Sequence, residues 1–169
     1  MTSPHTLIVT VEDRPGVLNR VASLFRRRGY NIESLTVGHT AELGVSRMTV
    51  VVDADDDTVR RLEANLYKLV NVLLVENLRG QGAVIRDLAM IKVRAGAEQR
   101  AQVLQLLEVF RARAVDVGPE NMIIEIAAAP DKVDGLVKVL EPFGILEMVR
   151  TGAVAMTRGV ESRLAAVAA

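Results

Sequence analysis

Residues 7–18 read Leu7-Ile8-Val9-Thr10-Val11-Glu12-Asp13-Arg14-Pro15-Gly16-Val17-Leu18, and the parsing of this stretch decides the fold. Leu7, Val9 and Val11 alternate with Ile8 and Thr10, a period near two that marks a strand. Glu12 to Gly16 is a turn by composition. From Val17 the period changes. Val17, Leu18, Val21, Leu24 and Phe25 fall at helical spacing, with Asn19, Arg20, Ser23, Arg26 and Arg27 on the other side, and Gly29 is a fitting stop. Tyr30 to Val37 reads as a second strand, Gly38 to Gly44 as a polar turn, and Val45 to Asp53 as a third strand with Met48, Val50 and Val52 on one face. Asp53, Asp55, Asp56 and Asp57 then place acid at a helix N-terminus, where the helix dipole favours it. Val59, Leu62, Leu66 and Leu69 line that helix, and Val72 to Glu76 is a fourth strand. The order strand, helix, strand, strand, helix, strand is the ferredoxin-like βαββαβ pattern of the α+β class, in which two amphipathic helices cover one face of an antiparallel sheet.

The order then repeats. Residues 78–86 form a Gly-punctuated connection, followed by a strand (Leu88 to Arg94), a helix (Ala97 to Arg113, with Val103, Leu106, Leu107 and Phe110 inward) and a short strand (Ala114 to Val117). After the turn Gly118-Pro119-Glu120 come a strand (Met122 to Ala127), a helix beginning after Pro130, and a closing strand (Ile145 to Val149). Val154 to Thr157 adds an edge. The best local match between the halves is Phe25-Arg26-Arg27-Arg28 against Phe110-Arg111-Ala112-Arg113. We expect two ferredoxin-like domains in tandem, over residues 5–78 and 87–160, a linker at 79–86 and a frayed tail at 161–169. Each is small for a stable core, so packing between domains or subunits is expected.

The 169 residues are half hydrophobic and one quarter charged, a globular composition, and 21 Lys+Arg balance 21 Asp+Glu. A protein whose main task was gripping nucleic acid would carry a basic excess and more than 3% aromatics. With no Cys there is no thiol chemistry, and His5 and His39, expected in exposed loops, lack metal-site spacing. No apolar run has the length of a membrane helix, and the N-terminus lacks signal-peptide character, so a cytoplasmic protein is expected.

The sharpest candidate site is the loop Asp13-Arg14-Pro15-Gly16-Val17-Leu18. Gly16 permits close approach of a ligand to the backbone. The N–H groups of Gly16, Val17 and Leu18 at a helix start can receive a carboxylate, and Asp13 can meet an ammonium group, which together suit a free amino acid. The alternative is an ordinary turn set by Pro15 and Gly16. Asn31, just after the Gly29 stop, carries both a donor and an acceptor and can serve such a ligand or simply face solvent.

Three groups of residues carry a family resemblance. Val-Glu-Asp-Arg-Pro-Gly-Val-Leu at 11–18 resembles the ligand loop of an ACT domain. The run from Phe25 through Arg26-Arg27-Arg28-Gly29-Tyr30-Asn31-Ile32-Glu33-Ser34-Leu35 to Gly38, with Ser46 to Val50 and Leu66 to Val72, resembles the small regulatory subunit of acetolactate synthase (acetohydroxyacid synthase). Arg86 to Val93, Arg150-Thr151-Gly152 and Thr157-Arg158-Gly159 are similar to that family's second domain. The resemblance implies a chain with no activity of its own, an N-terminal ACT domain that forms a homodimer, a catalytic-subunit partner whose activity it raises, and feedback inhibition by valine. It implies a valine site shared by two chains, with Asp13, Gly16, Val17 and Leu18 from one and Asn31 and Ile32 from the other. The Ile32 side chain is then a wall for a branched ligand, or else plain core. Thiamine diphosphate, a divalent metal and FAD would belong to the catalytic subunit. The second half has Arg94-Ala95-Gly96-Ala97-Glu98 where the first has its Pro-Gly loop, so the same kind of ligand site is not expected there.

Other features read as structure. Arg26-Arg27-Arg28 suits a solvated helix end, Gly80-Gln81-Gly82 a turn, and the Asp53–Asp57 run a helix cap without EF-hand spacing. A stand-alone tandem ACT amino-acid sensor is the alternative to a synthase subunit. A small enzyme lacks an evident acid–base pair here, and an RNA-binding module would need aromatics that Ser46-Arg47-Met48-Thr49-Val50-Val51 does not supply.

Overall fold

The structure is a computed structural model that describes residues 2–80 and 82–159. The expected frayed tail lies outside the described residues. The chain divides into two compact units. One holds the residues up to Val84 together with the described residues from Ala153, and the other is Ile85–Gly152.

The first unit contains β1 (Ser3–Glu12), α1 (Val17–Arg27), β2 (Ser34–His39), β3 (Val45–Ala54), α2 (Asp56–Leu66) and β4 (Val72–Asn77). Its antiparallel sheet runs β2-β3-β1-β4. The alternation read from residues 7–11 sends Leu7, Val9 and Val11 into a core with Met48, Val50 and Val52 of β3. The helical stripe supplies Val17, Val21, Leu24 and Phe25 from α1 and Val59, Leu62 and Leu66 from α2. Burying each of these larger side chains is worth roughly 1.5–3 kcal/mol. The acid run acts as its sequence implies. Asp55 caps α2, its Oδ1 accepting from the Thr58 N–H at 2.7 Å, and Asp56 and Asp57 occupy the first turn.

The following elements are β5 (Ala83–Arg94), α3 (Arg100–Phe110), β6 (Arg113–Val117), β7 (Asn121–Ala128), α4 (Pro130–Leu140), β8 (Ile145–Arg150) and β9 (Val154–Thr157). The second sheet repeats the first permutation as β6-β7-β5-β8. A register shift on the central strand also recurs, at Thr10/Val11 in β1 and at Lys92/Val93 in β5. Ala89, Ile91 and Val93 face Met122, Ile124, Ile126, Val103, Leu107, Val133, Leu136 and Leu140 in the second core. At its edge Arg150 reaches Asp134 Oδ1 and Asp87 Oδ2, each at 2.6 Å, and the Asp87 carboxylate is nearly buried. Burial works against charge on this guanidinium. The bonds to Asp134 and Asp87 outweigh it and hold its pKa above the ordinary arginine value.

Several expectations change. Tyr30 to Glu33 is not strand. α1 closes in a Schellman motif, with Gly29 N–H donating to Arg26 O at 3.1 Å and Tyr30 N–H to Phe25 O at 3.0 Å, so β2 starts only at Ser34. α3 stops at Phe110 by the same device, with Arg111 N–H on Glu108 O and Ala112 N–H on Leu107 O. Arg111 holds the left-handed position that Gly29 holds in the first repeat, at φ 52°. Phe25 therefore corresponds to Leu107, and its sequence match to Phe110 is out of register by three residues. β5 begins at Ala83, inside the expected connection, and the residues from Ala153 group with the first unit instead of the second. There Ala153 N–H donates to Ser34 Oγ at 2.9 Å and Arg47 donates to Ala155 O at 2.8 Å. β9 pairs with β5, whose first residues Ala83 and Val84 belong to the same unit, and Arg158 N–H donates to Gly82 O at 2.8 Å. His5 is not a loop residue. It lies in β1, 1% exposed, with Arg79 Nη1 at 2.9 Å and Asp56 Oδ1 at 3.4 Å from its Nε2.

Arg111→Gly removes a left-handed non-glycine residue from an exposed site and is expected to stabilise the chain by about 1 kcal/mol, read as a raised midpoint in denaturant. The backbone and hydroxyl bonds from Thr58 hold the Asp55 pKa below its ordinary 3.8. A depressed carboxylate stabilises the fold above its unfolded pKa, and that contribution is lost as pH falls through the folded value. Asp55→Asn keeps a capping oxygen that does not titrate. Thermal scans between pH 5 and pH 2.5 should show a smaller loss of Tm in the variant than in the parent chain.

Candidate functional site

Gly16 sits between β1 and α1 at φ 84°, a conformation that strains any L side chain. It occupies the N-cap position without a side chain, so no side-chain oxygen caps α1, and there is no acid in the first turn. Arg20 N–H takes the Gly16 carbonyl at 3.0 Å. Among the described hydrogen bonds the Gly16 and Leu18 N–H groups have no acceptor. The N–H of Val17 differs from expectation, because it donates to Arg14 O at 3.3 Å. The turn Pro15 imposes folds the Arg14 carbonyl back onto the helix start, and the Val17 side chain is core. Leu18 is 43% exposed and presents an apolar surface beside the free N–H groups.

Asp13 is fixed at its backbone by donation to Gly44 O at 2.8 Å. Its carboxylate is exposed, 3.2 Å from His39 Nδ1 at the end of β2. Behind the loop runs a polar chain. Arg20 donates to Asn71 Oδ1 at 2.5 Å, Asn71 Nδ2 donates to Glu12 Oε2 at 2.6 Å, and Arg14 lies 3.3 Å from the same Glu12 oxygen. Glu12 N–H also donates to Asn71 O at 2.9 Å. This brace sets the exit direction of β1. It joins residues about 50 to 60 positions apart in sequence, so local composition gives no sign of it. The only sequence signal is that Asn71 stands inside the family-like stretch from Leu66 to Val72.

Asn31 and Ile32 lie at the other end of α1. Asn31 is exposed and donates to Glu33, and Ile32 is half-buried against the first core. Eleven helical residues at 1.5 Å each put roughly 16 Å between the helix start and its C-cap. One chain therefore does not bring Asn31 and Ile32 to the Asp13, Gly16 and Leu18 loop. The corresponding turn of the second unit is built differently. Gly96 has no positive φ, and Arg100 donates to the carbonyls of Gly118 and Pro119, each at 2.8 Å. Among the described residues no group of three or more His, Cys, Asp or Glu is placed to hold a metal ion, and no helix is long and apolar enough to cross a membrane.

Comparison with known proteins agrees with this architecture in both halves. Residues 7–74 match the family model described as an AHAS small subunit-like ACT domain, and residues 86–159 match that of the small subunit of acetolactate synthase. The acetolactate synthase small subunit of Mycolicibacterium smegmatis is 47% identical over 158 residues, 94% of this chain and 93% of that one. A probable acetolactate synthase small subunit of Archaeoglobus fulgidus is 47% identical over 155 residues, 92% of this chain and 97% of its own. The crystal structure of the acetolactate synthase small subunit from Thermotoga maritima superposes with a TM-score of 0.86 at 40% identity, over 94% of this chain and 99% of that chain. With the fold, both halves and nearly the full length in agreement, the chain belongs to the acetolactate synthase small subunit family.

Proposed function

We propose that this chain is a non-catalytic regulatory subunit that binds the catalytic subunit of acetolactate synthase, raises its activity, and lowers it again when valine is bound. The observation that carries the effector part is the uncapped start of α1. Free N–H groups at Gly16 and Leu18 meet a carboxylate, Asp13 meets an ammonium group, and Leu18 offers an apolar contact. Asn31 and Ile32 complete the site from a second copy.

The topology supports that sharing. β2 is an edge strand of the first sheet, with its outer backbone groups open to pairing. Two copies joined by antiparallel pairing of their β2 strands about a two-fold axis would set the start of one β2 beside the end of the other. Asn31 and Ile32 precede the start of β2, and Asp13 contacts His39 at its end. The same pairing that makes the homodimer would thus assemble two equivalent sites. Bound valine then acts by its difference in affinity between the active and inhibited forms of the complex.

Thermal unfolding against single amino acids tests the site. Valine at about 100 times its Kd should stabilise the chain by roughly 2.7 kcal/mol. Asn31→Ala and Gly16→Asp should abolish that shift. Aspartate tolerates a left-handed backbone better than most residues, so Gly16→Asp should still fold. Undiminished stabilisation by valine in both variants would reject the site. The partner is tested by reconstitution. The chain should co-purify with the catalytic subunit and raise its turnover, and Gly16→Asp should keep the activation while losing inhibition by valine. Failure to bind the catalytic chain would favour a free-standing amino-acid sensor.

A further inference from the structure

Arg27, Arg28 and Lys68 converge on a cleft of about 420 Å³ at the C-terminal ends of α1 and α2, with Leu24, Leu69 and Asn65 completing its lining. Cations at helix C-termini complement the dipole, and several of the end carbonyls here are served by backbone N–H groups and not by these side chains. The carbonyls of Leu24, Phe25 and Arg26 accept from Arg28, Tyr30 and Gly29 N–H, and those of Glu63, Asn65 and Leu66 accept from Tyr67, Lys68 and Leu69 N–H. The side chains do something else. Arg28 Nη2 and Lys68 Nζ both donate to a single oxygen, Asn65 Oδ1, at 3.3 and 3.2 Å. Asn65 is itself oriented by donating to Arg61 O at 2.7 Å.

Two like charges are therefore gathered on one neutral acceptor, with Arg27 beside them. Among the described residues none of the three has a carboxylate within ion-pair distance. The chain as a whole has equal numbers of acidic and basic residues, so this excess is local. A guanidinium offers five donors and an ammonium three. Most of them here have no acceptor among the described hydrogen bonds. The volume is that of a small-molecule site, and the leucines give it an apolar wall.

We propose that this cleft binds a small phosphorylated anion, whose phosphoryl oxygens bridge Arg27, Arg28 and Lys68. Arginine forks and a lysine point charge suit a tetrahedral oxyanion carrying more than one charge. The cleft and the Gly16 loop lie at opposite ends of α1, so this site is separate from the amino-acid site proposed above.

Thermal unfolding of the full chain with inorganic pyrophosphate, inorganic phosphate or glycerol phosphate, each against potassium chloride at equal ionic strength, tests the proposal. Pyrophosphate should raise Tm by at least about 2 °C. Lys68→Gln and Arg28→Gln should each weaken the apparent affinity at least tenfold. Arg61→Gln, which removes one charge from α2 outside the cleft, should leave it unchanged. A shift with glycerol phosphate supports a phosphate ester as the natural ligand, and a shift with pyrophosphate or phosphate alone supports the free anion. No shift with any probe in the folded parent chain, or an equal loss in Arg61→Gln and Lys68→Gln, overturns the proposal.

Discussion

β1 lies between β3 and β4 and has to be covered twice. Leu7, Val9 and Val11 face the helices, yet Ile8 and Thr10, pointing the other way, are fully buried as well. A two-layer α+β unit ordinarily leaves the far face of its sheet to water. The last strand supplies part of the missing cover here. Ala153 and Ala155 are nearly buried, and Ser34 and Arg47 hold their backbone by hydrogen bonds. Small side chains let that segment lie close, and Arg47 reaches it from β3 without needing a carboxylate. The double burial of one central strand thus determines what the helices carry and where the chain must return.

The exit from β1 is equally constrained. The brace from Arg20 through Asn71 to Glu12 fixes the direction in which the chain leaves the sheet. Pro15 and Gly16 then turn it directly into α1, leaving no residue free to act as a side-chain cap. The helix start keeps its unpaired N–H groups because the turn is too tight to satisfy them. This local deficit in hydrogen bonding is the feature on which the proposed carboxylate site rests. The second unit has the same strand order with a different turn, in which the Gln99 and Arg100 N–H groups both donate to Gly96 O and the Arg100 side chain donates to the carbonyls of Gly118 and Pro119.

Much of this was legible in the sequence. The period-two run at residues 7–11, the helical stripes of α1 and α2, the acid cap before α2, Pro130 at the start of α4 and the last strand at Val154–Thr157 were all readable because local composition decides them. What was not legible depends on partners distant in the chain or on conformations without a residue signature. Ser3 to Thr6 extend β1 through pairing with β3, although their own composition is polar. Arg111 takes the left-handed position where the first repeat uses Gly29, so nothing in the sequence marked the end of α3, and the apparent match at Phe110 followed from that. His5 looked like an exposed terminal residue because Arg79 and Asp56, which surround it, come more than fifty positions later. The loop residues Asp13, Gly16 and Leu18 stand out as a candidate site from spacing and chemistry. The occupied N–H of Val17 was missed, because which turn carbonyl folds back is a matter of three-dimensional geometry.

The return of the chain to its first unit has a consequence for biogenesis. On a ribosome, the residues up to Val84 emerge with Ser34 and Arg47 still lacking the backbone groups they hold in the finished protein. Those groups are translated only after the whole of Ile85–Gly152. The amino-terminal half is thus the first to be made and the last to be completed. Its final closure reports that the second half has been synthesised in full.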